Sequence, residues 1–287
     1  MTALATAARR PREWSFTIGV ALFALLVLFA LFYPALSPHD AFTSNFDRGA
    51  SPDGEPVPPL HGFFLGTDRL FRDEAVRLAL GARLSFYIAI SASALAVVIG
   101  SFVGLIAGYF EGRFLDSLLM RLVDVGLSFP FLLLVMALGV VTTKTDATTV
   151  LLLLGVTGWL SIARIVRAKT IQLRARDFML ASASIGAEGG RLILRHLLPN
   201  LVPTMFVLFA IATPQMMMAD SVLSYLGAGI APPSPTLGYM LFEGQDVVTN
   251  YPWILAAPAI TISLSVLALH LSGEGLEKRV LGEGSVR

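Results

Sequence analysis

Residues 84–110 read LSFYIAISASALAVVIGSFVGLIAGYF, without one Asp, Glu, Lys or Arg. A helix rises about 1.5 Å per residue and needs about 20 apolar residues to cross a hydrocarbon core of about 30 Å, so this stretch is long enough to span a bilayer. Five further uncharged runs flank it, at residues 14–33, 125–143, 147–163, 197–219 and 251–269. The run at 147–163 is the shortest, and periodicity alone leaves open that one run is re-entrant. Strands do not fit, because membrane strands run about 10 residues with strict alternation. Composition agrees: 55% of residues are hydrophobic, 14% are charged and mean hydropathy is +0.73. A soluble domain carries about 25% charged residues. The chain reads as an all-α membrane protein with about six transmembrane helices.

High hydrophobicity, glycines without a three-residue period and the absence of Cys exclude disorder, collagen and a disulfide scaffold. A net charge of +1 provides no basic surface for nucleic acid. Arg9, Arg10 and Arg12 precede the first run, as in a secretory signal. That run exceeds the roughly 7–15 residues of a signal core, and no small-residue cleavage pattern follows Tyr33-Pro34, so it reads as a retained helix.

Six crossings put both termini on one side. With the termini inside, 15 of the 21 basic residues fall in inner segments, among them Arg164, Arg167, Lys169, Arg174, Arg176, Arg191 and Arg195. Arg48, Arg69, Arg72, Arg77, Arg83 and Lys144 remain outside. The excess predicts cytoplasmic termini. Three connections then exceed a turn: outer segments 35–83 and 226–250, and inner segment 164–196. Long ordered loops are usually functional.

Gly100, Gly104, Gly108 and Gly112 recur every four residues down the second helix. Helices in lipid associate where small residues let backbones approach, so the stripe predicts a tight helix pairing. Pro130, Pro203, Pro214 and Pro258 each remove a backbone hydrogen bond from a span, as a pathway lining or as a static kink. Asp116, Arg121 and Asp124 can pair at helical spacing near the inner end of the third helix, and Asp220 lies near the outer end of the fifth. No ionisable group sits at mid-depth where a proton relay belongs. There is no Gly-x-Ser-x-Gly elbow or HExxH, and His39, His61, His196 and His270 lack the spacing of a metal cage. None of the three lysines follows a glycine, so a phosphate loop is missing and any ATP must be hydrolysed by another chain.

Residues 178–186 read FMLASASIG, a short helix of small residues ending at a glycine that suits a left-handed turn. Gly189-Gly190 then breaks the chain, and residues 191–199 open a new helix into the fifth span. A short, small-faced helix between two spans can enter a groove on a soluble partner.

The pattern Ala181-Ser182-x3-Gly186-x9-His196-x-Leu198-Pro199 resembles the Glu-Ala-Ala-x3-Gly-x9-His-x-Leu-Pro coupling motif of ABC importer permeases, specifically the dipeptide, oligopeptide and nickel family. Leu65-Gly-Thr-Asp68 with Arg72-Asp73 and Gly81-Ala-Arg83, Arg121-x2-Asp124-x5-Pro130, Ala163-Arg164-Ile-Val-Arg167 and Leu223-Ser-Tyr-Leu-Gly227 with Gly238-x-Met240-Leu241 resemble further parts of it in order. Three positions depart: Leu180 stands for the motif's Glu, Asp220 for a usual Glu, and Phe71 for the Gly before Arg-Asp.

The resemblance implies a type I ABC importer permease fold with a long outer loop after helix 1 and a cytoplasmic coupling helix between helices 4 and 5. It implies an N-terminal helix and outer segment at 1–83, a permease domain at 84–278 and a cytoplasmic tail at 279–287. It places ATPase docking at Leu180, Ala181, Ser182, Ala183, Gly186, His196 and Pro199, with no catalytic or metal site and no cofactor on this chain. ATP and Mg belong to two partner ATPases. A second permease, in a heterodimer, and an extracytoplasmic binding protein complete the assembly in the cytoplasmic (inner) membrane of a bacterium or archaeon. An ion-coupled transporter or channel-like protein is the alternative, and a buried mid-membrane carboxylate would support it. An intramembrane hydrolase requires a nucleophile or metal motif. The substrate is not legible.

Overall fold

A computed structural model describes residues 14–140, 146–184, 186–187 and 189–282. Its helices are α1 Trp14–Leu36, α2 Phe46–Gly49, α3 Glu74–Tyr109, α4 Phe114–Leu127, α5 Phe131–Val140, α6 Ala147–Arg174, α7 Asp177–Ser184, α8 Gly189–Leu192, α9 Leu198–Tyr225, α10 Leu237–Gln245 and α11 Pro252–Gly282. A π-helical turn, Ile193–Leu197, joins α8 to α9, so Gly189–Tyr225 forms one span. Among the described residues α1, α3, α6, that joined span and α11 are long and apolar enough to cross a membrane, and α4 with α5 makes a sixth if the bent pair is one span. No strand occurs among them, only isolated bridges such as Thr67 to Asp73.

The third span departs from a single continuous helix, because α4 and α5 meet at 86°. Pro130 cannot donate a backbone hydrogen bond, and the residue before a proline is pushed out of the helical region. Ser128 closes α4, its N–H and hydroxyl both donating to the Asp124 carbonyl at 3.0 and 2.8 Å. Pro203, Pro214 and Pro258 leave α9 and α11 helical. Of the four span prolines, only the one at a helix end makes a sharp break.

α3 begins ten residues before its uncharged run, because Asp73 caps it: Oδ1 accepts from the Ala75 and Val76 N–H groups at 2.9 and 3.1 Å. It is the central helix, packed on α6, α9 and α1, with Ala82, Ala89, Ala92 and Ala96 buried along it. α1 packs mainly on α11, where Gly19 lies against Ser272 and Gly275 against Phe16. α3 and α11 run uninterrupted through residues 83 and 278, the boundaries that the resemblance implies.

Residues 37–73 and α10 form a cap over one end of the bundle. Thr67 is fully buried there: its hydroxyl donates to the Gly49 carbonyl at 2.8 Å and accepts from Val57 N–H at 2.9 Å. An ionic cluster lies beneath, in which Arg77 Nη2 donates to Glu243 Oε2 at 2.6 Å and Arg72 Nε to Asp68 Oδ2 at 2.6 Å. It ties the segment before α3 to α10 across the chain.

Candidate coupling segment

α7 stands at the opposite end from the cap. Its first turn buries Met179 and leaves the apolar Phe178, Leu180 and Ala181 exposed, Leu180 at 57%. Ser182 and Ser184 return their hydroxyls to the carbonyls of Phe178 and Leu180 at 2.8 and 2.9 Å, so neither leaves a polar group seeking a partner. Gly186 takes φ +84°, and the Ala187 N–H donates to the Ser182 carbonyl at 3.1 Å. That bond and the left-handed residue together make a Schellman stop. The side chain of Ala183 lies outside the described residues. His196 is half-buried in the π-helical turn, its carbonyl accepting from Asn200 Nδ2 at 2.7 Å, and Pro199 is exposed. The segment turns at Gly186, and Gly189-Gly190 opens α8 instead of breaking the chain.

The α6 end of this segment is held firmly to α3 and α4. Arg167 donates two hydrogen bonds to buried Asp116, at 2.6 and 2.7 Å, while Gly112 N–H donates to the same carboxylate at 3.0 Å. Arg164 pairs with Asp124 at 2.6 Å. Arg174 donates to the Gly108 carbonyl at 3.1 Å, near the end of α3, and lies over the Tyr109 ring. Asp116 and Asp124 therefore pair across to α6, correcting the expected pairing within one helix. Helical spacing alone could not reveal partners 51 and 40 residues away in the chain.

Gly100, Gly104 and Gly108 line the α3–α6 contact. A Cβ added at Gly100 would lie 2.8 Å from Ile162, and at Gly108 2.6 Å from Thr170. At Gly104 it would meet the Ala163 carbonyl oxygen. Gly112 does not belong to the stripe. α3 ends at Tyr109, and Gly112 sits in the following turn at φ +74° with nothing near its would-be Cβ. The period of four continued one step beyond the helix.

The two loop histidines have separate partners in the cap: His39 pairs with Asp73 at 2.9 Å and stacks on Phe63, while His61 meets the Pro59 carbonyl. No group of three metal-ligating side chains occurs among the described residues. Sequence reasoning missed Met179, the anchor of α7, and Arg174. Phe178, Met179 and Leu180 are all apolar, so the sequence carried no signal that singles out the buried one.

With this geometry in place, the comparisons with known proteins agree. Residues 96–282 match the family described as binding-protein-dependent transport system inner membrane component. The oligopeptide transport system permease protein OppC of Bacillus subtilis (strain 168) is 35% identical over 259 residues, covering 90% of this chain and 82% of the relative. The dipeptide transport system permease protein DppC of the same organism is 36% identical, covering 89% of this chain and 78% of the relative. The fold is similar to a chain of the MetNI methionine ABC transporter in an inward facing conformation, with TM-score 0.58 and 19% identity over 71% of this chain and 96% of that one.

Proposed function

This chain belongs to the binding-protein-dependent transport system inner membrane component family, and from that premise we propose that it is the half of a peptide importer's membrane path on which partner ATPases dock through α7. It is a multi-pass membrane permease of an ABC importer. In the proposed reading residues 84–278 carry the permease function, 1–83 supply an added helix and the cap, and 279–287 are a cytoplasmic tail. A second permease, two ATPases that bind ATP and Mg, and an extracytoplasmic binding protein complete the machine. Peptides are the cargo by likeness to the oligopeptide and dipeptide permeases. The missing phosphate loop supports ATP hydrolysis on other chains.

The observation that carries the docking role is the exposed apolar edge of α7, held on a stem that is itself pinned to α3 and α4. ATP-driven closure of the ATPases moves α7, and the Arg167–Asp116 and Arg174–Gly108 links pass that motion to the spans. Leu180 meets the ATPase through packing where related motifs use a carboxylate.

Leu180→Asp places an unpaired charge in the groove, so ATPase affinity should fall about 100-fold or more while insertion is unchanged. Leu180→Ala should weaken docking modestly and with little dependence on salt. Pull-down of the cognate ATPases across ionic strengths measures both, and full binding by Leu180→Asp counts against α7 as the docking element. The orientation is tested separately. A reporter after Arg287 should be cytoplasmic and a tag at exposed Asp53 accessible from outside. Protection of the Asp53 tag in intact spheroplasts contradicts termini inside.

A further inference from the structure

Two recesses lie in line along the seam where α6 and α9 face out of the bundle. One, of about 380 Å³, occupies the α4–α5 elbow and includes Ser161 of α6 and Gln215 of α9. The other, of about 430 Å³, lies toward α7 and includes Gln172 of α6 and Thr204 of α9. Ser161 and Gln172 are eleven residues apart, as are Gln215 and Thr204. Eleven residues are three helical turns, roughly 16 Å, so the two helices run antiparallel with these residues in matching register.

α6 is divided lengthwise by this arrangement. Ile162, Ala163, Val166 and Thr170 are buried, on the side that meets the α3 glycines. Ser161, Arg164, Ile165, Ala168 and Gln172 are exposed along the full distance between the recesses. One turn from Ser161, at the edge of the second recess, the Arg164–Asp124 pair stands 58% and 63% exposed. Gln215 lies ten residues, roughly 15 Å, from the end of α9, near half the thickness of a hydrocarbon core.

A hydroxyl, an amide and an ion pair exposed at this depth face acyl chains, another protein or water. Acyl chains leave the Ser161 hydroxyl and the Gln215 amide unsatisfied and strip the Arg164–Asp124 pair of its hydration, at a high cost, and a protein packed flush on the seam has to fill two recesses of about 380 and 430 Å³. Water satisfies them all, and a permease must hold water along the face its solute follows. The elbow recess differs from the rest of the seam in charge. Phe129, Phe131 and Leu134 wall it, and Ser161 and Gln215 bring a hydroxyl and an amide but no ion. Such a lining matches the neutral, two-sided hydrogen bonding of a peptide backbone better than it matches a charged side chain.

We propose that the exposed α6–α9 seam is the water-filled wall of the substrate path, and that Ser161 and Gln215 in the elbow hydrogen-bond the backbone of the passing peptide. The second clause rests on the peptide reading above; the first does not.

The chain contains no Cys, so single cysteines report cleanly. In the assembled complex in lipid, Ser161→Cys, Gln215→Cys and Gln172→Cys are treated with a charged, water-soluble methanethiosulfonate. Phe102→Cys, at a 64% exposed apolar position on α3, is the comparison. Mass spectrometry of this chain reads the rates. Labelling at the three seam positions should be at least tenfold faster than at Phe102→Cys, and rates no faster than that comparison overturn the water-filled wall. Excess peptide with ATP should slow labelling of Gln215→Cys severalfold, and labelling at Gln215→Cys should stop uptake while ATP hydrolysis continues. Unchanged labelling in a complex that moves peptides overturns the backbone contact. Failure of the unlabelled complex to move any peptide refutes the peptide reading and the contact that rests on it, while the labelling rates still decide the wall.

Discussion

Gly104→Leu is expected to leave almost no folded permease in the membrane, while Phe102→Leu two residues away leaves expression and thermal stability unchanged. At Gly104 even a Cβ meets the Ala163 carbonyl oxygen, and the next nearest atoms belong to Val166 and the Arg167 backbone. Overpacking costs about 1–3 kcal/mol where side chains can yield. Here the obstacle is backbone, so α3 and α6 must separate along the most extensive helix contact of the bundle. Close backbone approach is what holds helices together in lipid, and separation forfeits it. Separation also strains the Arg167–Asp116 pair, one turn beyond the contact. Phe102 is 64% exposed and tolerates exchange. Leu105, by contrast, is 5% exposed and is a poor control, since truncating it opens a cavity. Size-exclusion profiles and thermal unfolding in detergent measure the difference. A Gly104→Leu protein that is monodisperse with the parent Tm shows that the helices do not meet as described.

Arg77→Ala should cost about 3–5 kcal/mol, the usual penalty for removing one partner of a buried ion pair. Arg77 is 1% exposed and lies between Asp68 and Glu243, at 3.2 and 2.6 Å. Glu74, fully buried in the same cluster, has one carboxylate oxygen without a hydrogen bond. Without Arg77 these acidic groups share Arg72 alone. The loss should appear as a marked fall in Tm that high salt repairs only in part, because Asp68 is 5% exposed while Glu243, at 24%, is open to water and ions. Arg77→Lys should recover part of it, since an ammonium supplies the charge but not the fork that reaches two carboxylates. A Tm for Arg77→Ala within two or three degrees of the parent contradicts a structural role for the cluster.

Phe71 shows how a departure in sequence acquires a physical meaning. The resemblance implies Gly before Arg-Asp, and Phe71, which stands there, takes φ +57°. That left-handed conformation costs a residue with a Cβ roughly 1–2 kcal/mol. Phe46 packs edge-on against its ring at 5.1 Å, and its carbonyl accepts from Asn45 N–H at 2.9 Å, which offsets part of the cost.

Local features were legible in the sequence. Six apolar runs, the helix at 178–184 and the left-handed turn at Gly186 each depend on residues within a few positions of one another, so composition and propensity determine them. The resemblance in the Ala181 to Pro199 motif likewise needed only order along the chain. The tertiary structure alone decided which side of Pro130 the chain turned to, that Asp116 belongs to Arg167, that Gly112 lies beyond the helix it seemed to extend, and that Ser161 and Gln215 share a recess. The Asp116–Arg167 pair and the Ser161–Gln215 recess join residues far apart in the chain. No period or propensity links such residues, because the free energy that brings them together comes from packed backbones and ion pairs that exist only once α3, α6 and α9 lie side by side.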